Sequence, residues 1–160
     1  MNKRKKRFLI AAVVLIAVFG VFLAVRPGRG WHRDLAEYSL DERSFDSEAM
    51  VKIEEESGIE LPDDAKGLAF HHIPPIDPIW FAKIQLPATS QDSITKQIEA
   101  LPSSGTQFPK DFANERCGWW PTAMQEVILS KHADNNGSYL DMYLVKEKDD
   151  LILYIIYFTF

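Results

Sequence analysis

The sequence predicts an α+β fold in which one N-terminal transmembrane helix is followed by a small domain with an antiparallel sheet and two helices. Three observations predict it. Residues 8–25 form an unbroken apolar run, two later segments repeat apolar residues with the period of a helix, and the C-terminal third has apolar stretches typical of strands. Apolar residues make up 46 % of the 160, which excludes wholesale disorder.

The apolar run predicts a membrane anchor, and the lipid bilayer is therefore an expected partner. Its residues, which begin Phe8-Leu9-Ile10 and end at Val25, include no charged or polar side chain. As a helix they would be about 27 Å long, close to the thickness of the hydrocarbon core. A cleaved signal peptide is the alternative, because it shares the basic start and the apolar stretch. The run is longer than a usual signal-peptide core and no small-x-small cleavage site ends it, which favours a retained, single-pass signal anchor.

Charge is distributed unevenly along the chain and predicts the orientation of this anchor. Residues 1–30 hold seven Lys or Arg and no acid, so the rest of the chain holds eleven Lys or Arg against 23 acids, a net charge of −12. The basic segment 1–7 predicts a cytoplasmic N-terminus. Residues 26–160 are then expected to be extracytoplasmic, in the periplasm or outside the cell. Their negative field argues against nucleic acid as a partner.

Residues 26–44 predict a stalk with a short helical turn at 34–40, because Pro and Gly open this segment and no sustained period follows. The folded domain is expected over residues 45–160.

The first helix of this domain has a start signal and a stop signal. Ser44 or Asp46 can cap it, and its apolar positions include Ile53. Gly58 predicts its end, because glycine adopts the left-handed conformation that closes many helices.

Strands are predicted at 67–73 and 78–86, from alternating or apolar residues around a proline-rich connection. A second helix is predicted from residue 89 to residue 101, with Thr89 and Asp92 at capping-box spacing. Residues 102–118 contain Pro102, Gly105 and Pro109 within a short span and predict a long loop.

The last third predicts an antiparallel meander with strands at 124–132, 139–145 and 151–160. A tight hairpin is expected at residues 135–137, because Asn and Gly tolerate positive φ. The run 151–160 is apolar on both sides, which is typical of a central strand covered on both faces.

The Gly58-Ile59-x-Leu61-Pro62 element and the Trp119-Trp120 pair, in this order of helices and strands, resemble those of uncharacterised bacterial membrane-anchored proteins and lipoproteins. The resemblance covers roughly residues 45–160. It implies a bacterial envelope location and an α+β fold, and it implies no catalytic residue.

His71, His72 and Asp77 are the one cluster of metal-type ligands in the sequence. Neighbouring residues of a strand point to opposite faces, so the two histidines are not expected to share an ion. We therefore predict neither a metal site nor another cofactor. A small envelope hydrolase that uses these three residues remains one alternative for the function.

Cys117 is the single cysteine, so an internal disulfide is excluded and a buried thiol is expected. Its surroundings, Cys117-Gly118-Trp119, are similar to the nucleophile region of papain-like proteases, but the second cysteine is absent and the downstream His and Asn lie too near. The sequence also lacks a nucleophile elbow, a P-loop and a Rossmann glycine pattern.

Two surfaces are candidates for binding a partner. The acidic surface would dock a basic protein or envelope component, and it consists of Glu54, Glu55, Glu56, Asp63 and Asp64. The aromatic surface would form a platform for a peptide or glycan, and it consists of Trp119, Trp120, Tyr139 and Tyr143.

Together these features predict a membrane-anchored extracytoplasmic binding or adaptor domain without catalytic activity. An immunity-type inhibitor of a basic toxin is a further alternative, in which the acidic surface would block the toxin.

Overall fold

The computed structural model of the chain describes residues 35–74, 76–106, 108–135 and 137–159, apart from the side chains of residues 110 and 111. The predicted basic segment 1–7 and the predicted transmembrane segment Phe8–Val25 lie outside these residues. Within the described ranges, no helix is both long enough and apolar enough to cross a membrane. The longest has 11 residues, which spans about 16 Å and is roughly half the thickness of a bilayer core.

The predicted fold class is wrong. The described chain is a six-stranded antiparallel sheet with few and short helices, and it includes no transmembrane helix. The prediction of a transmembrane helix is corrected with it for the described ranges, in which none is found. The physical reason is that pairing between distant strands, which one sequence does not reveal, joins all six described strands into a single sheet.

Every neighbouring pair of strands in the sheet is antiparallel. The spatial order is β1-β2-β3-β6-β5-β4, so β6 lies in the centre between β3 and β5. The strands are β1 (Tyr38–Asp41), β2 (Lys66–Ile73), β3 (Ile79–Leu86), β4 (Val127–Asn135), β5 (Ser138–Glu147) and β6 (Asp150–Thr159).

Three α-helices and one 3-10 turn lie between the strands. They are α1 (Ser47–Ser57), the 3-10 turn Ala88–Ser90, α2 (Gln91–Ala100) and α3 (Lys110–Arg116). α1 and α2 pack on one side of the sheet, which we call the first face. α3 and the segments before and after it pack on the other side, the second face.

The predicted first helix is confirmed. The Asp46 side chain accepts a hydrogen bond from the amide of Ala49 at 3.0 Å, which caps the helix start. Gly58 ends the helix with φ 71°, in the left-handed region. Ile53 and Ile59 are fully buried, so α1 is held against the first face.

The prediction that β6 is covered on both faces is also confirmed. Leu153 and Ile155 pack into the cluster under α1 and α2, whereas Tyr154 and Ile156 pack into the cluster under α3. Its alternate side chains therefore join two separate apolar cores.

Three local predictions differ from the structure. The helical turn expected at 34–40 is wrong, because residues 38–41 pair with β2 as strand β1. The predicted loop at 102–118 includes helix α3. The second helix begins after a 3-10 turn without a side-chain cap, so the expected Thr89 cap is not formed. In the first two cases the element is short and its sequence carries too few residues for a clear period.

Candidate functional site

The residues of the predicted acidic surface fall into two groups. Glu54 Oε1 accepts a hydrogen bond from the amide of Leu61 at 2.8 Å. Glu56 accepts hydrogen bonds from the Trp80 indole and from Lys52 Nζ, which also forms an ion pair with it at 2.8 Å. These two carboxylates hold the end of α1 to the fold. The remaining three, which are exposed, are Glu55, Asp63 and Asp64.

The predicted aromatic surface lies on the second face and is largely covered. Trp120 and Tyr143 are each only 7 % exposed, and their rings contact one another edge to face. Trp119 and Tyr139 are half-buried and pack against the same cluster. These residues therefore fill the core between the sheet and α3 instead of forming an open platform.

The structure does not bring His71, His72 and Asp77 together. His72 is buried on the first face, where its ring centre lies 5.2 Å from that of Tyr38. His71 is buried on the second face and stacks on Phe81 at 6.2 Å. Asp77 is exposed between β2 and β3. The part of the chain that the structure describes contains no group of three or more His, Cys, Asp or Glu that could hold a metal ion.

A pocket of about 480 Å³ opens on the second face beside His71, and we call it the His71 pocket. β1 and β2 form one wall, and the end of α3 with the residues after it forms the other. Its polar side chains include Ser39, His71 and Arg116. Its apolar wall includes Leu68, Ala69, Cys117 and Trp119. This volume is within the range that small-molecule sites occupy.

The register of β1 and β2 places three polar side chains in a row. Ser39 lies directly opposite His71, and the Ser39 hydroxyl is 2.7 Å from His71 Nδ1. On the other side of the ring, His71 Nε2 lies 3.4 Å from a Glu37 carboxylate oxygen. The two are not aligned as a hydrogen bond, so Nε2 has no hydrogen-bond partner among the described residues.

His71 is only 7 % exposed, and this burial has the largest effect on the protonation state of its imidazole. Burial lowers the pKa of His71, the nearby Glu37 carboxylate opposes that effect, and the Arg116 guanidinium lowers the pKa further. His71 is therefore mainly neutral at pH 7. A neutral imidazole can donate one hydrogen bond and accept another.

Arg116 carries the positive charge of the His71 pocket. Its guanidinium carbon lies 5.2 Å from the centre of the Phe112 ring, a cation–π contact. Across the described ranges it has no ion pair with a carboxylate. Asp41, which also lines the pocket, is already occupied, because it accepts hydrogen bonds from the Ser44 hydroxyl at 2.7 Å and from two backbone amides.

The thiol of Cys117 is part of the apolar wall, not a reactive group. Cys117 is 2 % exposed, and burial raises its pKa to about 12. A thiol with this pKa stays protonated at neutral pH and is a weak nucleophile. This agrees with the buried, unreactive cysteine expected from the sequence.

A second, smaller pocket of about 300 Å³ lies on the same face at the other side of α3. Trp120, Met124 and Tyr143 form its apolar part, and Asn114 contributes a buried oxygen, Oδ1, that has no hydrogen-bond partner among the described residues. We call it the Trp120 pocket. No Lys, Arg, His, Asp or Glu lies among its described lining residues.

Sequence reasoning identified His71 but missed Glu37, Ser39 and Arg116. Glu37 directly precedes β1 and is two residues from Ser39, a spacing that places both side chains on one side of an extended chain. This spacing is the one sequence signal that could have identified the pair. It could be interpreted only once residues 38–41 were known to form a strand. No sequence signal identified Arg116, because its position depends on how α3 packs on the second face.

Functional inference therefore rests on the geometry of this chain. Compared with known proteins, the chain matches no family model, no curated protein and no solved structure.

Proposed function

We propose that the domain is a binding domain without catalytic activity, and that its ligand occupies the His71 pocket. One observation carries this proposal. The pocket, with about 480 Å³ of space, combines a buried histidine whose Nε2 has no hydrogen-bond partner among the described residues with an arginine that lacks a carboxylate partner there. A buried polar atom without a partner costs free energy, and a ligand that pairs with it recovers part of that cost.

The groups that line this pocket are held in place before any ligand arrives. His71 is fixed by its stacking on Phe81 and by Ser39, and the exposed Arg116 lies over the Phe112 ring. Fixed groups lose little conformational entropy when they bind, which favours recognition of a small ligand.

The two surfaces predicted from the sequence support a docking function less well. Two of the five acidic carboxylates are used inside the fold, and two of the four aromatic side chains are 7 % exposed. The described residues offer no feature that favours the immunity-type alternative. The extracytoplasmic location stays a prediction.

A second candidate is a hydrolase in which Ser39 is the nucleophile, favoured by the 2.7 Å contact between its hydroxyl and His71 Nδ1. A neutral histidine hydrogen-bonded to a serine is the arrangement that activates such a nucleophile. Glu37, at 3.4 Å from Nε2, would orient the ring. This set replaces His71, His72 and Asp77, which do not converge.

The test of binding uses the isotope-labelled full-length protein and four phenyl compounds with different head groups: phenylacetate, phenethylammonium, phenylacetamide and phenethyl alcohol. Binding is followed by NMR. Ser39→Trp, on the exposed side of β1, fills the pocket, and Lys96→Trp on the exposed surface of α2 is the matched control. We expect at least one compound to bind the natural protein and the control but not Ser39→Trp. Equal binding to Ser39→Trp, or no binding by all four, would contradict the proposal.

A fluorophosphonate probe separates binding from hydrolysis. Because it reacts covalently with activated serines, mass spectrometry of the treated protein reports on Ser39 directly. We expect no adduct. An adduct on Ser39 that is lost in His71→Gln would establish the hydrolase and overturn the assignment as a binding domain.

A further inference from the structure

Arg116 is an unusual side chain in this domain. The chain carries 23 acidic residues, yet Arg116 makes no ion pair within the part that the structure describes. It lies against the Phe112 ring, which occupies one side of the guanidinium and restrains its direction. Arg116 is exposed, and a guanidinium has five N–H donors in a planar fork that a ligand at the pocket can meet.

His71 supplies a second donor. Its Nε2 faces the Glu37 carboxylate at 3.4 Å, so a proton on Nε2 is favoured over a lone pair there. Ser39 then donates its hydroxyl hydrogen to Nδ1. The Nε2–H is buried and lacks a hydrogen-bond acceptor among the described residues, which suits an incoming oxygen atom.

The charges around the pocket limit the charge of the ligand. Arg116 contributes one positive charge, His71 is mainly neutral, and Glu37 and Asp41 are negative neighbours. A phosphate dianion would meet one cation and two carboxylates, which disfavours it. A singly charged anion can still pair with Arg116 and is repelled less by these two carboxylates, because it carries half the charge of the phosphate dianion. A carboxylate also has two oxygens in a plane, the geometry that pairs with a guanidinium through two parallel hydrogen bonds.

The apolar part of the pocket wall indicates the chemical character of the rest of the ligand. Leu68, Ala69, Cys117 and the Trp119 ring line the pocket beside these donors. Burying apolar ligand surface against them contributes roughly 25 cal/mol per Å². An inorganic anion would leave this wall exposed to water, whereas an organic acid with an apolar body would cover it.

We infer that the His71 pocket binds a small organic carboxylate with an apolar body, whose carboxylate is held by Arg116. This inference rests on the proposed function, because it assigns the ligand class of the same pocket. Arg116 sets the preference for a negative charge, and the wall around Trp119 sets the preference for an apolar body.

The test compares phenylacetate with phenylacetamide, which has nearly the same shape and no charge, and with inorganic phosphate. Each is titrated by NMR into the full-length natural protein, into Arg116→Gln and into Lys96→Gln. The last variant loses the same charge at an exposed position on the first-face side. We expect phenylacetate to bind the natural protein most tightly of the three. Arg116→Gln should lower the affinity for phenylacetate by about 10- to 100-fold, because the variant loses a charge-assisted pair of hydrogen bonds.

The affinity for phenylacetamide should change by less than about threefold in Arg116→Gln. Lys96→Gln should leave the affinities for both compounds unchanged. If phenylacetamide binds as tightly as phenylacetate and Ser39→Trp abolishes both, the carboxylate inference fails while the proposed function stands. If phosphate binds more tightly than phenylacetate, the ligand class is wrong. If none of the phenyl compounds binds in a manner sensitive to Ser39→Trp, the proposed function itself fails.

Discussion

Asp141 provides the sharpest test of how the second face is assembled. It is a fully buried carboxylate on β5, opposite His132 on β4. Its Oδ1 lies 2.6 Å from His132 Nδ1, and its Oδ2 accepts a hydrogen bond from the amide of Phe108 at 2.9 Å. Phe108 begins the segment that leads into α3, so one carboxylate joins the edge of the sheet to the cover of the second face.

The stability that Asp141 contributes follows from these two hydrogen bonds. Each bond to an ionised acceptor contributes about 1.5–3 kcal/mol, and Asp141→Ala removes both while it leaves the buried Phe108 amide without a partner. We expect Asp141→Ala to lower the free energy of unfolding by about 3–5 kcal/mol, as for the removal of one partner from a buried pair. Asp141→Asn keeps an oxygen for Phe108 and can donate to His132, so it should cost about 1–2 kcal/mol.

Urea denaturation of the full-length protein, followed by tryptophan fluorescence, measures these differences. His132→Ala, which removes one bond and keeps the other, should lie between the two Asp141 variants. A loss below about 1 kcal/mol for Asp141→Ala would refute the reasoning. If Asp141→Ala does not fold, the ranking of Asp141→Asn and His132→Ala still tests it.

Three further predictions concern other parts of the fold. Because burial raises the pKa of Cys117 to about 12, iodoacetamide at pH 8 should label the folded protein far more slowly than the urea-unfolded protein, and equal rates would count against a buried thiol. Gly67→Ala should lower the free energy of unfolding by about 1–3 kcal/mol, because the new Cβ would lie 2.2 Å from the Phe45 ring, whereas Gly105→Ala, with nothing within 4 Å, should be nearly neutral. Burial raises the pKa of Tyr154 above its ordinary value near 10, so the free energy of unfolding should fall as pH rises above about 10, and Tyr154→Phe should reduce that dependence.

The elements that the sequence predicted well are those with local signals. Helix α1 has its cap at Asp46 and its stop at Gly58, and both are encoded within a few residues of the helix ends. Strand β6 has a continuous apolar run that only a doubly covered strand accommodates. Because these signals do not depend on distant partners, one sequence is enough to read them.

The elements that the sequence missed depend on pairing over long distances. Strand β1 has four residues, and it exists because Leu40 and its neighbours pair with the strand around Phe70. Helix α3 has seven residues, too few for a convincing period, and the packing of residues such as Phe112 and Ala113 on the second face defines it. The fold class was wrong for the same reason, since the strand order of a sheet is a property of distant contacts.

The candidate site shows the same division. The sequence singled out His71 only as one of three metal-type ligands, whereas its neighbours in the pocket come from β1 and from the end of α3. Ser39 lies opposite His71 through strand register, and Arg116 lines the same pocket because α3 packs on the second face. No local sequence pattern connects residues 39, 71 and 116, so the pocket could be identified only from the folded structure.

The central position of β6 also has a consequence for the chain during its synthesis. β3 pairs with β6, yet more than 60 residues separate Leu86 from Asp150, so β3 leaves the ribosome well before its partner exists. At ordinary translation rates this delay is roughly 3–13 s. For that time the apolar edge of β3 has no strand beside it, and such an edge is where nascent chains pair wrongly or recruit chaperones. The two halves of the sheet thus become one structure only when β6 emerges between them.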